Sequence, residues 1–380
     1  MTRRERLMHT LRGETVDRPP VCFYELNGVD QDPDDPDPFN VFNDPSWRPL
    51  LELTRERTDR IVLRGVPLKD TPPDPLEPLR TVERWEEDGS RFERTTLQAG
   101  KRALTMLSRR DRGVDTIWTI EHLLKDIEDF EAWLELPQAP FGGIPDTSGV
   151  VATEEQLGDS GIVCIDTADP LCHVAPLFEM STYTIIAMTE NELIHRALEK
   201  AAAHLLPRVE AVARALPGRL WRIFGPEYAS PPYVPPHLFE EYVTHYVTPM
   251  VEAIQRYGGY ARVHSHGNLR AILEHIAATG CSGLDPIEPP PQGDVTLGYV
   301  RERYGEQMVL FGNLEVSDIE NLPTPQFAEK VATALREGTA GKGRGLVVMP
   351  SSAPYGRDIT PLTLRNYEEI VKQVESFAIQ

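Results

Sequence analysis

The feature that most constrains the fold is a beat in the chain: short, nearly continuous apolar segments alternate with helical patterns along its length. The apolar segments lie at 21–25, 60–65, 161–166, 220–225, from 260 through the stretch carrying His264 and His266, and at 282–288, 308–313 and 346–350. Strands buried on both faces read as unbroken apolar runs, as in parallel sheets, whereas half-exposed strands alternate. Between them, helical periodicity runs over 46–57, 190–216, 237–257, 269–279, 296–304 and 325–337. Eight strand–helix units predict an α/β fold of the TIM (β/α)8 barrel type, with residues 1–380 as a single domain. An amphipathic helix over 3–11, stopped by Gly13, precedes it as an N-terminal extension.

The beat breaks at about 81–119. Alternating segments there flank Asp88-Gly89, a two-residue hairpin signal, which predicts an inserted antiparallel hairpin layer belonging to the same domain. A helix is expected over 120–136, and the Asp- and Pro-rich stretch 30–45 reads as a loop.

In barrels of this kind the chemistry gathers at the C-terminal ends of the strands. The tips here carry Glu25 and Asn27, Asp166, Glu227, His264 and His266 with Asn268, then Glu288, Asn313, and Ser351 with Ser352. His264 and His266, at i and i+2, fall on one side of an extended backbone just before Gly267 lets the chain turn. Neutral imidazole is the commonest nitrogen ligand, and Glu227 at the preceding strand tip can add an oxygen. His, His and Glu suit a catalytic Zn²⁺ that keeps one position open. The plainer alternative is one hydrogen-bonded core histidine and one exposed one. Asp166 before Thr167, and Glu288 before three prolines, also read as turn caps.

The formal net charge of −20 argues against nucleic acid and anionic membranes as partners, since both need clustered Lys and Arg. Four cysteines without a CxxC spacing point to a reducing, cytoplasmic setting. No run of about 18 apolar residues occurs, so a soluble protein is expected. Gly341-Lys342-Gly343-Arg344-Gly345 looks like a phosphate loop but precedes a strand instead of opening a helix, so it reads as a connecting turn.

Several stretches together resemble the uroporphyrinogen decarboxylase superfamily over nearly the whole chain: Arg3-Arg4-Glu5-Arg6-Leu7 to Glu14, Asp17-Arg18-Pro19-Pro20, 235–242, His264-Ser265-His266-Gly267-Asn268 and Leu310-Phe311-Gly312-Asn313. The resemblance implies a TIM barrel and one of two activities: cofactor-free decarboxylation of a tetrapyrrole, or zinc-dependent methyl transfer to or from a corrinoid on a partner protein. Decarboxylases carry an arginine-rich run after the first strand; here that place holds Phe23-Tyr24-Glu25-Leu26-Asn27-Gly28. A polycarboxylate would meet Glu25, with a repulsion of about 1 kcal/mol per close pair even in water. Thiol-methylating relatives bind zinc through His-x-Cys and a later Cys. The matching positions here are His264, His266 and Ser351 or Ser352, without sulfur. Ether-cleaving relatives use glutamates and a histidine, which Glu227 and His264 resemble; Glu241 is a further candidate ligand. Nitrogen and carboxylate ligands leave zinc a harder Lewis acid, suited to an ether oxygen.

The resemblance therefore implies a zinc-dependent methyltransferase that moves the methyl group of a small-molecule methyl ether, an aryl one in the leading reading, to a Co(I) corrinoid. Glu227, His264 and His266 would hold the metal, and Asp166, Glu25, Asn27, Glu288 and Asn313 would orient substrate or move protons. With no Asp-x-His-x-x-Gly run in the chain, the cobalamin-type cofactor is expected on a separate corrinoid protein. Methyl-corrinoid:thiol transfer is the alternative and uroporphyrinogen decarboxylation the third choice; a homodimer is compatible with either.

Overall fold

The computed structural model describes residues 1–355 and 357–378. Seven parallel strands form one sheet in chain order: β1 (Arg60–Arg64), β2 (Gly161–Ala168), β3 (Leu220–Phe224), β4 (Tyr260–Ser265), β5 (Gly283–Pro286), β6 (Val309–Leu314) and β7 (Leu346–Pro350). Strands that are neighbours in this list are neighbours in the sheet. Parallel pairing requires a crossover at each step, and helices supply it. The result is an α/β fold of the TIM-barrel kind.

The eighth stave departs from expectation. Residues 21–25 do not form a strand: Val21 makes a single parallel bridge to Val348. Cys22 N–H donates to the Val348 carbonyl at 3.0 Å and Val348 N–H to that of Pro20 at 2.8 Å. On the other side Asp59 N–H donates to the Val21 carbonyl at 2.7 Å, so this segment stands between β7 and β1. Two causes keep it short. Pro19 and Pro20 have no N–H to offer a ladder. Tyr24 then adopts a left-handed φ of 52°, turning the chain so that Leu26 N–H reaches the Phe23 carbonyl at 2.9 Å.

Side-chain alternation divides the core in two. Leu220, Cys164, Phe311 and Met349 fill the inside of the barrel, where Leu7 and Leu11 of the helix Arg3–Arg12 join them and plug its floor. Trp221 and Ile223 face outward into the layer between staves and helices, packed among residues such as Phe327 and Tyr367.

Residues 80–121 form a four-stranded antiparallel sheet: Arg80–Glu87, Ser90–Ala99, Arg102–Asp111 and Ile117–Glu121. Asp88 (φ 50°) and Gly89 (φ 80°) make the turn between its first two strands, the conformation a two-residue hairpin demands. Leu97, Ala99 and Leu104 bury one end of this sheet in the main core. The helix expected over 120–136 is corrected to the last strand of this sheet followed by a shorter helix, Ile127–Leu134. Asp126 sets that start: its carboxylate caps Asp129 N–H at 2.7 Å. Among the described residues no helix is long and apolar enough to cross a membrane.

Candidate functional site

Parallel staves bring all their C-terminal ends to one face, so β2 to β5 deliver Asp166, Arg222, Arg262, His264 and Asp285 to the same mouth. The β4–β5 register places His264 opposite Asp285, and their side chains meet, Nδ1 to Oδ2, at 2.8 Å. Asp285 is fully buried. Its second oxygen lies 3.0 Å from Arg262 Nε, an ion pair whose N–H is not aligned along the contact, so neither atom has a hydrogen-bond partner. The Arg262 guanidinium also sits 4.8 Å from the Phe311 ring centroid. Burial alone would push the Asp285 carboxyl up, but Arg262 and then His264 hold it down at about 2. Asp285 is therefore an anion, His264 Nδ1 must carry the proton it donates, and Nε2 is turned to other use.

His266, two residues on, repeats the device at the rim. Its Nδ1 donates to Glu288 Oε1 at 2.9 Å, and Glu288 Oε2 accepts Gly267 N–H at 3.0 Å. Burial pulls the imidazolium pKa down, but the Glu288 hydrogen bond and charge, with Glu227 and Asp285 adding, outweigh it and raise the value. The same contacts overcome burial to lower that of Glu288. The two rings stand nearly perpendicular (83°) with centroids 4.6 Å apart. Among the described residues neither Nε2 has a hydrogen-bond partner.

Beside the imidazoles, Arg222 is almost wholly buried and fully engaged. It forks onto Asp166 (Nε–Oδ1 2.8 Å, Nη2–Oδ2 3.0 Å) and its Nη1 donates to Tyr24 Oη at 2.8 Å and Glu25 Oε1 at 3.3 Å. Tyr24 in turn stacks on His264 with centroids 6.1 Å apart. Bidentate, charge-assisted contacts of this kind fix geometry as well as charge.

Glu227 lies on the turn after β3, where its Oε2 accepts Gly225 N–H at 2.9 Å. Gly225 has φ +117°, and a Cβ there would fall 2.2 Å from Asp169 Oδ1. Asp169 itself is fully buried; one oxygen accepts Cys172 N–H at 2.7 Å and the other has no partner. Burial, reinforced by Glu227, raises its pKa well above the usual carboxylate value. The metal expected from the sequence does not fit these side chains as they stand. The mouth offers two imidazole nitrogens, but no group of three or more His, Cys, Asp or Glu among the described residues could hold an ion.

The other residues singled out from the sequence are placed as follows. Glu25 and Asp166 meet on Arg222, and Glu288 meets His266. Asn27 is spent within its own loop: its amide donates to Asp30 at 2.7 Å and its carbonyl accepts Val29 N–H at 2.8 Å. Asn313 lines a cleft of about 610 Å³ with Glu315 and Phe327, whose lining includes neither imidazole. Ser351 donates to Glu315 at 3.0 Å. Glu241 sits in the helical layer, where it accepts from Asn191 at 2.9 Å and lies 3.8 Å from His195 Nε2, not beside His264 or His266. Tyr24, Arg222, Arg262, Asp285 and Asp169 were not expected at the mouth. The available signal was the spacing of Arg262, His264 and His266 and the single Arg222 inside an apolar strand.

Comparison with known proteins adds four findings. A methyltransferase from Methanosarcina mazei superposes over 99% of this chain and 99% of its own with a TM-score of 0.60 at 17% identity, which shows a shared fold. A D-psicose 3-epimerase from Clostridium cellulolyticum H10 aligns over 62% of this chain and 95% of its own, at 10% identity and a TM-score of 0.31. No curated protein matches the sequence. Residues 170–359, half of the 380-residue chain and the half that carries the imidazole mouth, match the family model described as uroporphyrinogen decarboxylase (URO-D). The chain belongs to the uroporphyrinogen decarboxylase family.

Proposed function

We propose that this protein is a methyltransferase that takes the methyl group of a methyl ether, an aryl ether in the first instance, and passes it to the Co(I) of a corrinoid carried on a separate protein. The observation that carries the reading is the pair of imidazoles whose Nδ1 atoms are tied to carboxylates while both Nε2 atoms stay open. The family and the fold shared with a protein named as a methyltransferase support it. Decarboxylation of a polycarboxylate tetrapyrrole is disfavoured because the mouth guanidiniums, Arg222 and Arg262, are already matched by Asp166, Glu25 and Asp285.

In this mechanism the cobalt electron pair forms a bond to the methyl carbon while the carbon–oxygen pair leaves on oxygen. The departing oxygen takes a proton from Nε2 of His266, whose imidazolium Glu288 stabilises, and water later restores that proton. His264, fixed by Asp285 and stacked on Tyr24, orients the substrate beside it; Glu25 and Asp166 hold Arg222 as the opposite wall. No step is routed through zinc, because only two donors are gathered. The test is product analysis with a panel of methoxy-aromatics and a Co(I) corrinoid protein. Equimolar phenol and methyl-cobalt are expected. Absence of phenol, with thioether formed from methyl-corrinoid and coenzyme M, would assign the site to thiol methylation.

A further inference from the structure

We propose a second ligand site, on the barrel floor opposite the imidazole mouth, where Arg301, Arg344 and the loop 339–345 bind a small phosphate-type oxyanion. A cleft of about 210 Å³ opens there between the end of the helix Arg3–Arg12, the helix Leu297–Tyr304 and the loop entering β7. Thr10, Thr15 and Thr339 line it together with both arginines and Gly343; the carboxylate in the lining, Glu14, lies 3.2 Å from His9 Nδ1 and 3.8 Å from Arg12 Nη1.

Arg301 is only 6% exposed. The chain buries three other arginines to the same degree, and each meets a carboxylate: Arg6 with Asp17 and Asp59, Arg222 with Asp166, Arg262 with Asp285. Arg301 meets none among the described residues. Its Nε and Nη1 reach only the carbonyls of Ala340 (3.0 Å) and Gly345 (3.5 Å), and burial pulls its pKa down. Arg344, half-buried, also meets no carboxylate among the described residues: Nη2 donates to the Leu11 carbonyl, and the buried Nε has no partner. Carbonyls satisfy hydrogen bonds but not charge, and a desolvated, uncompensated guanidinium is costly. In a chain with 59 acidic and 39 basic residues, a buried guanidinium without a carboxylate is a departure, and with Arg344 beside it in the same cleft an incoming anion completes the site.

The loop is shaped for this. A Cβ on Gly343 would lie 2.7 Å from the Arg301 guanidinium carbon, so glycine is what lets the fork lie against the backbone. Lys342, exposed on the same loop, adds a third cation. Arginine forks match phosphate oxygens in pairs. The volume falls below the ~300–1,000 Å³ of pockets for drug-sized ligands. The ligand is thus free phosphate or the phosphate group of a small metabolite.

The experiment is titration of the full chain with inorganic phosphate and, separately, glycerol phosphate at constant ionic strength, read by calorimetry and thermal unfolding. A saturable isotherm and a rise in melting temperature that chloride does not give are expected, with apparent affinity at least tenfold weaker in Arg344→Gln. Tighter binding of glycerol phosphate identifies a metabolite, and equal binding identifies the free ion; either supports the site. Should Arg344→Gln fail to fold, Lys342→Gln serves on the exposed side of the loop, with a several-fold loss expected. Equal shifts from phosphate and chloride, or unchanged affinity in the variants, overturns the proposal.

Discussion

Replacing Asp285 with asparagine removes the one charge that holds both Arg262 and His264. Asp285 is 0% and Arg262 2% exposed, so neither can turn to water. At their 3.0 Å separation the attraction is about 5–6 kcal/mol for an effective dielectric near 20, and desolvation of both groups offsets part of it. Breaking a buried pair from one side costs roughly 3–5 kcal/mol, because the survivor is left charged and unmatched. That is a large share of the ~5–15 kcal/mol that stabilises a typical protein. Urea unfolding at pH 7 of Asp285→Asn, Arg262→Met and the double variant measures it. Each single change is expected to lose about 3 kcal/mol or more, and the double change to lose at least about 2 kcal/mol less than their sum. Strict additivity, or a loss under about 1 kcal/mol in Asp285→Asn, would refute the electrostatic account of how His264 is held.

Gly225→Ala should destabilise by about 1–3 kcal/mol, since its backbone is left-handed and the new Cβ collides with the Asp169 carboxyl; a denaturation midpoint equal to the parent's would contradict this. Asp17 is held at about 2 by its hydrogen bonds to Arg6, against an unfolded value near 4. A depressed carboxylate contributes stability that is present above the unfolded pKa and lost as pH falls through the folded one. Asp17→Asn should therefore be less stable than the parent at pH 7, with the gap closing between about pH 4 and pH 2; a gap that persists at pH 2 argues against the ion pair. Exhaustive chelation should leave methyl transfer unchanged, because the mouth gathers two imidazoles and no third ligand. Loss restored by added zinc would mean that Glu227 leaves Gly225 N–H to complete a metal centre.

What was legible in the sequence was whatever depends on local period. The i, i+2 spacing of His264 and His266 needs only strand geometry to share a face, and seven staves announce themselves as apolar runs. Residues 21–25 carry the same apolar signal but end as one bridge, because two prolines and the left-handed Tyr24 act at positions where periodicity is silent. Residues 120 and 121 read as the start of a helix, but the preceding strand, Arg102–Asp111, pairs with 117–121 and draws them into the antiparallel sheet. Asp285 shows the limit most clearly. Nothing near it in sequence marks it as the partner of His264, and only the β4–β5 register does so. Asn27 failed in the opposite direction, its amide being absorbed by its own loop.

The central claim is that an imidazole fixed by a carboxylate gives the departing oxygen its proton. The most direct measurement is the initial rate of methyl-cobalt formation from a turned-over methoxy-aromatic, followed by cobalt absorbance, in the parent and in His266→Gln. A positioned general acid typically contributes 10²–10⁴-fold, so a loss of at least about 100-fold is expected with unchanged circular dichroism. A His266→Gln rate within a few-fold of the parent's contradicts the account.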